Sequence, residues 1–325
     1  MPVELQRGSL VMQGAPLWFD AKRRTSLAFV SHAHTDHIAP HECVIATRET
    51  LALMAHRLGS LKATLPLAYG EAAEVHGLRV ELFPAGHALG AAQVRVTRSD
   101  GHRVAYTGDL SLGEALTAAR AEIVSCDTLI LEATFGHPRY RFPPQEQVYD
   151  QVARWSRNQL AAGVQPILLA YSLGKSQEAI RQLRARGLPV VAHPAIHAVA
   201  EVYEALGVPV GARLFDGHFR PGEVGLFPPF RRGDLQGAGV PLATAVLTGW
   251  ALEPWGARRS GADVAFPVSD HADFPSLVAY ARATGAREVI TVHGFVKDLA
   301  AGLRREGLFA RAATEAVQME LPLPL

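Results

Sequence analysis

Three histidines and one aspartate lie within six consecutive positions near the N-terminus. His32, His34, Asp36 and His37 form the pattern H-x-H-x-D-H directly after an apolar run. Four strong ligands at this spacing cannot point the same way on a strand or a helix, so we expect a loop folded around cations. Imidazole nitrogen suits Zn²⁺, whereas carboxylate oxygen also admits Mn²⁺. The pattern therefore predicts a metal site in which Zn²⁺ is favoured over Mn²⁺.

Three further polar residues stand where apolar runs end. His87 follows the run at 80–83, Asp109 follows the run at 104–106, and Asp20 follows the segment 17–19. Side chains on loops at strand ends can converge from distant parts of a chain, so we expect His87 and Asp109 to join the loop. For Asp20 we expect a hydrogen bond to the N–H of a ligand imidazole, with a helix cap or a loop position as the alternative.

Composition restricts the class of protein. The chain has 325 residues, of which 48% are hydrophobic and 19% charged, so it can bury a sizeable core and is not a disordered segment. The net charge is +1, from 32 basic and 31 acidic residues, so any binding of a polyanion must be local. Cys43 and Cys126 are the only cysteines, which excludes a disulfide scaffold and a thiolate metal cage, and we expect two packed thiols.

Targeting and membrane signals are absent from the sequence. The N-terminal residues contain no basic stretch followed by an apolar segment of signal-peptide length, and no apolar run is long enough to span a bilayer. We therefore expect a cytoplasmic protein with no membrane partner.

The first part of the chain, which must position these polar residues, consists mainly of predicted strands. Residues 48–58 have the apolar periodicity of a helix. Short apolar runs predict strands at 26–30, 80–83, 94–96, 104–106 and 128–131.

From about residue 143 the pattern changes to an alternation of helices and strands, which predicts a parallel βαβ sheet. A Pro/Gly-rich region at 217–239 carries no predicted strand. We expect helices at 146–160, 177–186, 196–206 and 274–284, a terminal helix from Val296, and strands at 167–171, 190–191, 245–248, 264–268 and 288–292.

Asp20, the H-x-H-x-D-H loop, His87 and Asp109 together resemble the signature of the metallo-β-lactamase superfamily. Three later residues are similar to additional motifs of its β-CASP nucleases: Glu132 in Leu-Glu-Ala-Thr-Phe-Gly, His271 in Ser-Asp-His-Ala-Asp-Phe, and His293 in Val-His-Gly-Phe. Residues 171–178 resemble the phosphate-side loop of the domain inserted in that family. The chain looks most like the short bacterial DNA exonucleases of this family that are encoded beside DNA ligase genes, and it is also similar to mRNA 3′-end processing nucleases.

This resemblance implies an α/β protein: an αββα sandwich formed by residues 1–142 and 263–325, with an inserted α/β domain at 143–262. It also implies two divalent cations and a phosphodiester substrate. A hydroxide shared by the cations would attack phosphorus, and His271, held protonated by Glu132, would protonate the leaving oxygen. The implied ligands are His32, His34 and His87 for one cation and Asp36, His37 and His293 for the other, with Asp109 between the two cations. The resemblance also implies a catalytic role for Asp36, and it implies that Asp20 orients one of the ligands.

Phe295 is a departure from the family pattern. Many relatives have an acidic residue after the final His-Gly, and Phe295 stands there in this sequence. A phenyl ring cannot accept a hydrogen bond from the ring of His293 as a carboxylate would, so the residue that orients His293 is not identified by the sequence.

Contacts to substrate phosphates are expected at two places. Ser172 and Lys175 lie where a strand turns into a helix and presents backbone N–H groups to an anion, with a solvated helix start as the alternative for Lys175. Gly174-Lys175-Ser176 is not a P-loop, since Leu169 stands where that motif needs glycine. Arg139 and Arg141 form the other place. They are one of three dense basic pairs, with Arg231–Arg232 and Arg258–Arg259, and Tyr140 and Trp255 stand close enough in sequence to stack on unpaired bases; solvated arginines are the alternative.

Several functions remain open from the sequence. We favour a DNA exonuclease in repair or end processing, with a DNA ligase or helicase as a functional partner. An RNA-processing nuclease is the first alternative, because no residue type here reveals contact with a 2′-hydroxyl. A small-molecule thioester or lactam hydrolase would need neither the insertion nor Glu132 and His271. A scaffold protein without metal is disfavoured because every ligand position of the family signature still carries a residue that can bind a metal. His137 is held open as a site residue, and the other histidines are expected to be packed or solvated.

Overall fold

The computed structural model describes residues 2–6, 8–235 and 239–313. The first sheet has six strands in sequence order, of which the first three pair antiparallel, and parallel pairing continues from the third to the sixth. Helix α1 (Arg48–Leu58) follows β5, and its N-terminus is capped by Thr47 Oγ1, which accepts a hydrogen bond from the Thr50 N–H. The strands are β1 (Val3–Gln6), β2 (Ser9–Met12), β3 (Leu17–Phe19), β4 (Leu27–Phe29), β5 (Cys43–Ala46) and β6 (Ala63–Pro66).

The second sheet begins with an antiparallel meander. Its first strands are β7 (Ala72–Val75), β8 (Leu78–Pro84), β9 (Ala92–Thr97) and β10 (Arg103–Tyr106), and β11 (Thr128–Ala133) then pairs parallel to β10. Buried and more exposed residues alternate along β8, as expected for a strand with one face toward a core.

A third sheet is formed by the middle of the chain. Its six strands are all parallel, in the order β14 (Arg213–Leu214), β13 (Val190–Ala192), β15 (Val224–Phe227), β12 (Gln165–Leu169), β16 (Leu242–Leu247) and β17 (Val264–Phe266). The predicted parallel βαβ arrangement is therefore confirmed. Two 3-10 segments, Pro229–Leu235 and Gly249–Leu252, lie in the loops. The elements are α2 (Gln145–Ala161), β12 (Gln165–Leu169), α3 (Lys175–Ala185), β13 (Val190–Ala192), α4 (Pro194–Ala205), β14 (Arg213–Leu214), β15 (Val224–Phe227), β16 (Leu242–Leu247), α5 (Gly256–Arg259) and β17 (Val264–Phe266).

The last part of the chain returns to the second sheet. Helix α6 (Phe274–Ala283) leads to β18 (Glu288–Gly294), which pairs parallel to β11, and helix α7 (Val296–Arg305) leads to the edge strand β19 (Ala310–Ala312). Asp273 caps α6 through a hydrogen bond from the Ser276 N–H to its Oδ1.

Three of the four apolar clusters among the described residues hold these layers together. One lies between the first and second sheets, and a second lies between the outer face of the second sheet and helices α6 and α7. The third joins the outer face of the first sheet and α1 to helices α2, α3 and α4 and the third sheet. The layers form the expected αββα sandwich, and the third sheet packs against it through a continuous apolar core.

The Pro/Gly-rich region contains a strand that the sequence did not predict. β15 lies between β13 and β12 inside the third sheet, and all four of its residues are buried. Its apolar run is only four residues long and includes Gly225, whose missing side chain leaves room for Ile167. A short run that is covered on both faces has no alternation of apolar and polar residues to identify it.

The two cysteines are free, with Cys126 buried and Cys43 half-buried. Within the described part of the chain, none of the helices combines the length and the hydrophobicity that a membrane crossing requires.

Candidate metal centre

The predicted ligands meet where strands of the two central sheets end. The loop at 31–37 follows β4, His87 follows β8 and Asp109 follows β10, while Glu132 lies near the end of β11. The turns are tight. Gly86 and Gly108 both have positive φ, and a Cβ atom would lie 2.0 Å from the carbonyl oxygen of Ser111 at Gly86 and 2.4 Å from the Ser31 Cβ at Gly108. Glycine is therefore required one residue before each of the two ligands.

The first cluster contains three imidazoles and one carboxylate. His34 Nδ1 lies 3.0 Å from His32 Nε2 and 3.0 Å from His87 Nε2. The Oδ2 atom of Asp109 lies 3.4 Å from His32 Nε2 and 3.7 Å from His87 Nε2. One ligand atom from each of the four residues falls within 4.8 Å of all the others, so together they could hold one metal ion.

Hydrogen bonds on the far side of the rings fix the tautomers of His34 and His87. His34 Nε2 lies 3.1 Å from the carbonyl oxygen of Leu173, and His87 Nδ1 lies 2.8 Å from the carbonyl oxygen of Asp270. A carbonyl only accepts, so each of these nitrogens carries the proton. The other nitrogen of each ring therefore presents a lone pair to the cluster.

The tautomer of His32 follows from its neighbour in sequence. Ser31 Oγ donates its hydrogen to Asp20 Oδ2 at 2.6 Å and must therefore accept from His32 Nδ1 at 2.9 Å. Three imidazole lone pairs thus face one another at hydrogen-bond distance with no proton between them. Such an arrangement repels itself unless a cation lies among the nitrogens, so the donor set fits a divalent metal.

Burial keeps these rings neutral. It lowers the pKa of His34 to about 4 and that of His87 to about 3, and it holds the pKa of His32 well below the usual range. A neutral imidazole is the form that binds a metal.

The second cluster surrounds His37. Its Nε2 atom lies 3.6 Å from Asp36 Oδ2 and 3.6 Å from Asp109 Oδ1, and the His293 ring centroid is 5.7 Å from that of His37. Asp109 therefore directs Oδ2 to the first cluster and Oδ1 to the second. Burial raises the pKa of Asp109 to about 7, with Glu132 and Asp36 adding to the rise. A carboxylate in this position gains from cations on both sides.

Asp20 orients the second cluster. Its Oδ1 accepts from the Ser31 N–H at 2.7 Å, and its Oδ2 accepts from Ser31 Oγ, from His37 Nδ1 at 2.8 Å and from Tyr106 Oη at 2.8 Å. With four donors the carboxylate is fully engaged, so the structure places Asp20 behind the ligands. Its φ of 42° is unusual for a residue other than glycine, as is the φ of 58° at His293.

The charge around His37 is strongly negative. Burial lowers its pKa, but Asp109 and Asp20 outweigh burial and raise the pKa to about 10. The Nδ1–H already donates to Asp20. The nitrogen left to take a proton or a metal ion is therefore Nε2, which faces the carboxylates of Asp36 and Asp109.

Glu132 and His271 meet although 139 positions separate them. His271 Nδ1 lies 3.1 Å from Glu132 Oε1 and 3.2 Å from Oε2, and its Nε2 lies 3.8 Å from Asp109 Oδ2. Burial lowers the pKa of His271, but Glu132 and Asp109 raise it to about 10. Glu132 is fully buried and is held by the Leu110 N–H at 2.6 Å. The pair is thus an imidazole whose protonated form is favoured and whose ring is oriented by a fixed carboxylate.

Two of the residues expected to contact substrate lie elsewhere than predicted. Tyr140 is completely buried, and its hydroxyl donates to Glu253 Oε1 at 2.6 Å, so the expectation that it stacks on bases is wrong. Lys175 is neither solvated nor free, because it is buried and its Nζ lies 3.1 Å from Asp270 Oδ1.

The remaining residues expected to contact substrate are at least partly accessible. Arg139 is exposed but pairs with Glu253 at 3.0 Å, while Arg141 is exposed and Ser172 half-buried. Trp255 retains 37% exposure, with the Arg259 guanidinium 5.2 Å from its ring centroid. The side chain of Arg232 lies outside the described residues.

Phe295 and His137 belong to an aromatic cluster. The Phe295 ring centroid lies 5.3 Å from that of Tyr140 and 5.7 Å from that of His137. Arg139 lies over both Phe295 and Tyr140. The position after the last His-Gly therefore packs against the loop at 137–140.

Sequence reasoning missed Asp270 and Leu173, whose backbone carbonyls orient two of the imidazoles. Backbone acceptors leave no signal in residue types, so only the adjacency of Asp270 to His271 pointed toward the site. Lys22 was also missed. Burial lowers its pKa, and the charges of Asp36, Asp109 and Asp20 oppose that shift, so its ammonium interacts with the carboxylates of the candidate site.

Comparison with known proteins agrees with this fold and site. Residues 9–170 match the family model of the beta-lactamase superfamily domain. A probable DNA ligase of Opitutus terrae is 38% identical over 307 residues, which cover 94% of this chain but only 30% of that protein. RNase aCSPSF2 of Saccharolobus solfataricus is 29% identical over 49% of this chain, and DNA cross-link repair protein SNM1 of Arabidopsis thaliana is 26% identical over 56%. These matches span 38% and 41% of the two relatives.

A solved structure of a protein of unknown function from Enterococcus faecalis V583 superposes with a TM-score of 0.59 at 16% identity, covering 88% of this chain and 78% of the other. At that identity the match shows the fold alone. The chain belongs to the metallo-β-lactamase superfamily, and its relatives support the β-CASP type of insertion. This superfamily binds divalent metals, and the two clusters described above are where this chain could hold them.

Proposed function

We propose that this chain is a metal-dependent phosphodiesterase that acts on DNA, most simply as an exonuclease in repair or end processing. The observation that carries the proposal is the split carboxylate of Asp109, with one oxygen facing each cluster, beside His271, whose Nε2 lies 3.8 Å from Asp109 Oδ2. His32, His34 and His87 would hold one cation, and Asp36, His37 and His293 the other. Zn²⁺ suits this imidazole-rich set best, and Mn²⁺ is the second choice.

The reaction needs a nucleophile, stabilisation of the negative charge on the phosphate oxygens in the transition state, and a proton for the leaving oxygen. Two divalent cations supply the first two by activating water and by neutralising phosphate oxygens. His271 supplies the third: the oxygen of a water that has given up one proton to solvent bonds to phosphorus as the bond from phosphorus to the leaving oxygen breaks, and the leaving oxygen takes the proton from His271 Nε2. Glu132 fixes the ring through Nδ1 and favours its protonated form.

DNA is favoured over RNA by the names of two relatives, a probable DNA ligase and a DNA cross-link repair protein. The relative named RNase aCSPSF2 supports RNA as the second candidate. The match to a probable DNA ligase also supports a functional association with a ligase. A thioester or lactam hydrolase is disfavoured, because neither reaction needs the third sheet or the Glu132–His271 pair.

We also propose that the inserted domain runs from 143 to 266 rather than to 262. The reason is that β17 (Val264–Phe266) pairs with β16 at the edge of the third sheet.

The test is digestion of end-labelled single- and double-stranded DNA and RNA of one sequence by the metal-loaded chain. We expect cleavage of DNA, complete loss of cleavage in Asp109→Ala, and a loss of about 10²- to 10⁴-fold in His271→Ala, the usual contribution of a positioned acid. His56→Ala, on the exposed side of α1, is the matched control and should retain full activity. Cleavage of RNA alone would establish the second candidate, and cleavage of neither would overturn the proposal.

A further inference from the structure

One turn of the inserted domain touches the metal centre twice. The turn joins β12 to α3, and within it the Leu173 carbonyl accepts a hydrogen bond from His34 Nε2 at 3.1 Å. Two residues later, Lys175 Nζ lies 3.1 Å from Asp270 Oδ1. The first contact orients a predicted metal ligand, and the second fixes the loop that carries His271.

The ion pair is enclosed on both sides. The side chains of Lys175 and Asp270 are only 8% and 14% exposed. A buried ammonium whose charge already faces a carboxylate is poorly placed to bind a phosphate from solvent. Lys175 must therefore act on the reaction indirectly, through its ion pair with Asp270.

Asp270 connects Lys175 of the inserted domain with His87 and His271 of the site. Its backbone carbonyl accepts from His87 Nδ1 at 2.8 Å, which directs His87 Nε2 to the first cluster. It directly precedes His271, whose N–H is held by Ser269 Oγ at 3.1 Å. A shift of the Asp270 side chain would therefore move both a ligand and the proton donor.

Two hydrogen bonds hold the turn together. Gly174 N–H donates to Gln177 Oε1 at 2.8 Å, and Ser176 Oγ donates to the Tyr171 carbonyl at 2.6 Å. These bonds hold the start of α3, so Lys175 presents its ammonium from a fixed base.

We propose that Lys175 is a positioning residue: by binding the Asp270 carboxylate it locks the loop at 269–273, so that docking of the inserted domain completes the first metal cluster and places His271. This inference rests on the proposed metal-dependent function. It replaces the expectation that Lys175 contacts a substrate phosphate.

The test compares Lys175→Met with Lys175→Arg, and uses Lys62→Met as a matched control because Lys62 forms an exposed pair with Glu42. Metal affinity is measured by competition with a chelator for Zn²⁺, and kcat, KM and the salt dependence of substrate binding are measured on labelled single-stranded DNA. We expect Lys175→Met to weaken Zn²⁺ binding about 10- to 100-fold and to lower kcat, with KM within about twofold of the wild type. Lys175→Arg should restore most of both losses, and Lys62→Met should change neither.

A second variant covers the case in which Lys175→Met does not fold. Asp270→Asn keeps the shape and the backbone carbonyl but removes the charge, so it should show the same loss of Zn²⁺ affinity and kcat, and the double variant should be no worse than either single one.

The opposite results identify what has failed. A higher KM and a shallower salt dependence with unchanged Zn²⁺ affinity would make Lys175 a phosphate contact and overturn the positioning role. Unchanged values in both Lys175→Met and Asp270→Asn, with normal Zn²⁺ binding by the wild type, would overturn this inference alone. Failure of the wild type itself to bind metal would instead overturn the proposed function.

Discussion

Each imidazole of the first cluster has one ring nitrogen committed as a donor on its outer side, to Ser31, to Leu173 or to Asp270. The inner nitrogens therefore face one another as acceptors. A surface histidine chooses its tautomer freely, but here the choice is made by groups outside the cluster. At the residue scale, these outer acceptors leave the inner nitrogens of the three rings free to act as the predicted metal ligands.

Asp20→Asn tests this at the second cluster. The amide has one oxygen for the four donors that now share the carboxylate, and its NH₂ group would face at least one of them. We expect metal binding at the cluster that includes His37 to weaken about 10- to 100-fold, measured by titration of the apo-protein with Zn²⁺. Tyr106→Phe is the control: it removes one donor but leaves the acceptor of His37, so its effect should be clearly smaller. Equal affinities in Asp20→Asn and the wild type would show that Asp20 does not orient His37.

At the scale of elements, the sequence predicted helices and strands that have a clear period or cap. Helix α1 was predicted with the bounds that the structure shows, because its apolar periodicity stops where Gly59 ends the helix. The strands that carry the metal cluster were also predicted, since each apolar run ends in a short polar segment. Among the strands that were not predicted are β1, β2 and β15, each only four residues long, so that neither an apolar run nor an alternation within them is long enough to identify a strand.

The candidate metal site was more predictable than the residues expected to contact substrate. Ligands are identified by residue type and by their position at strand ends, both of which are local in sequence. The environment of Tyr140 depends on Glu253, 113 positions away, and that of Lys175 on Asp270. Burial and ion pairing at such a distance depend on how the inserted domain packs, which no local pattern shows.

Gly86→Ala tests the tight turn that presents His87. The added Cβ would meet the backbone oxygen of Ser111 at 2.0 Å, in a backbone conformation with φ of 78°. The strain of positive φ and the overpacking together should lower the free energy of unfolding by about 2 to 4 kcal/mol and reduce metal content. Gly187→Ala is a close match, with φ of 75° and open space around the added atom, so its cost should be about 1 to 2 kcal/mol. Equal costs in urea unfolding would show that the turn relaxes and that no close approach to Ser111 is needed.

For the whole molecule, the question is how a chain of net charge +1 would bind the proposed polyanionic substrate. Much of the local positive charge is already neutralised, since Arg139 pairs with Glu253 and Lys175 with Asp270. Arg258 and Arg259 are exposed on α5, and Arg259 lies over the partly exposed ring of Trp255. We therefore assign phosphate binding to this pair before the pair at 139 and 141.

Replacing Arg258 and Arg259 by Ala should weaken binding of single-stranded DNA and make the log–log dependence on salt shallower by about 0.7 per lost contact, or about 1.4 for both. Metal content should not change. The matched control replaces Arg282 and Arg305, which are exposed on α6 and α7 behind the second sheet, and should leave the slope unaltered. An unaltered slope in the Arg258 and Arg259 variant would mean that the strand follows another face of the molecule.

The most direct measurement of the central claim is the number of metal ions that the chain holds. The protein is purified without chelator, supplied with Zn²⁺ or Mn²⁺, freed of excess metal and analysed by elemental mass spectrometry. Because Asp109 directs one oxygen to each cluster, we predict close to two ions per chain, falling below one in Asp109→Ala. A value of one in the wild type would contradict the second cluster, and a reproducible value near zero with either metal would contradict the whole account.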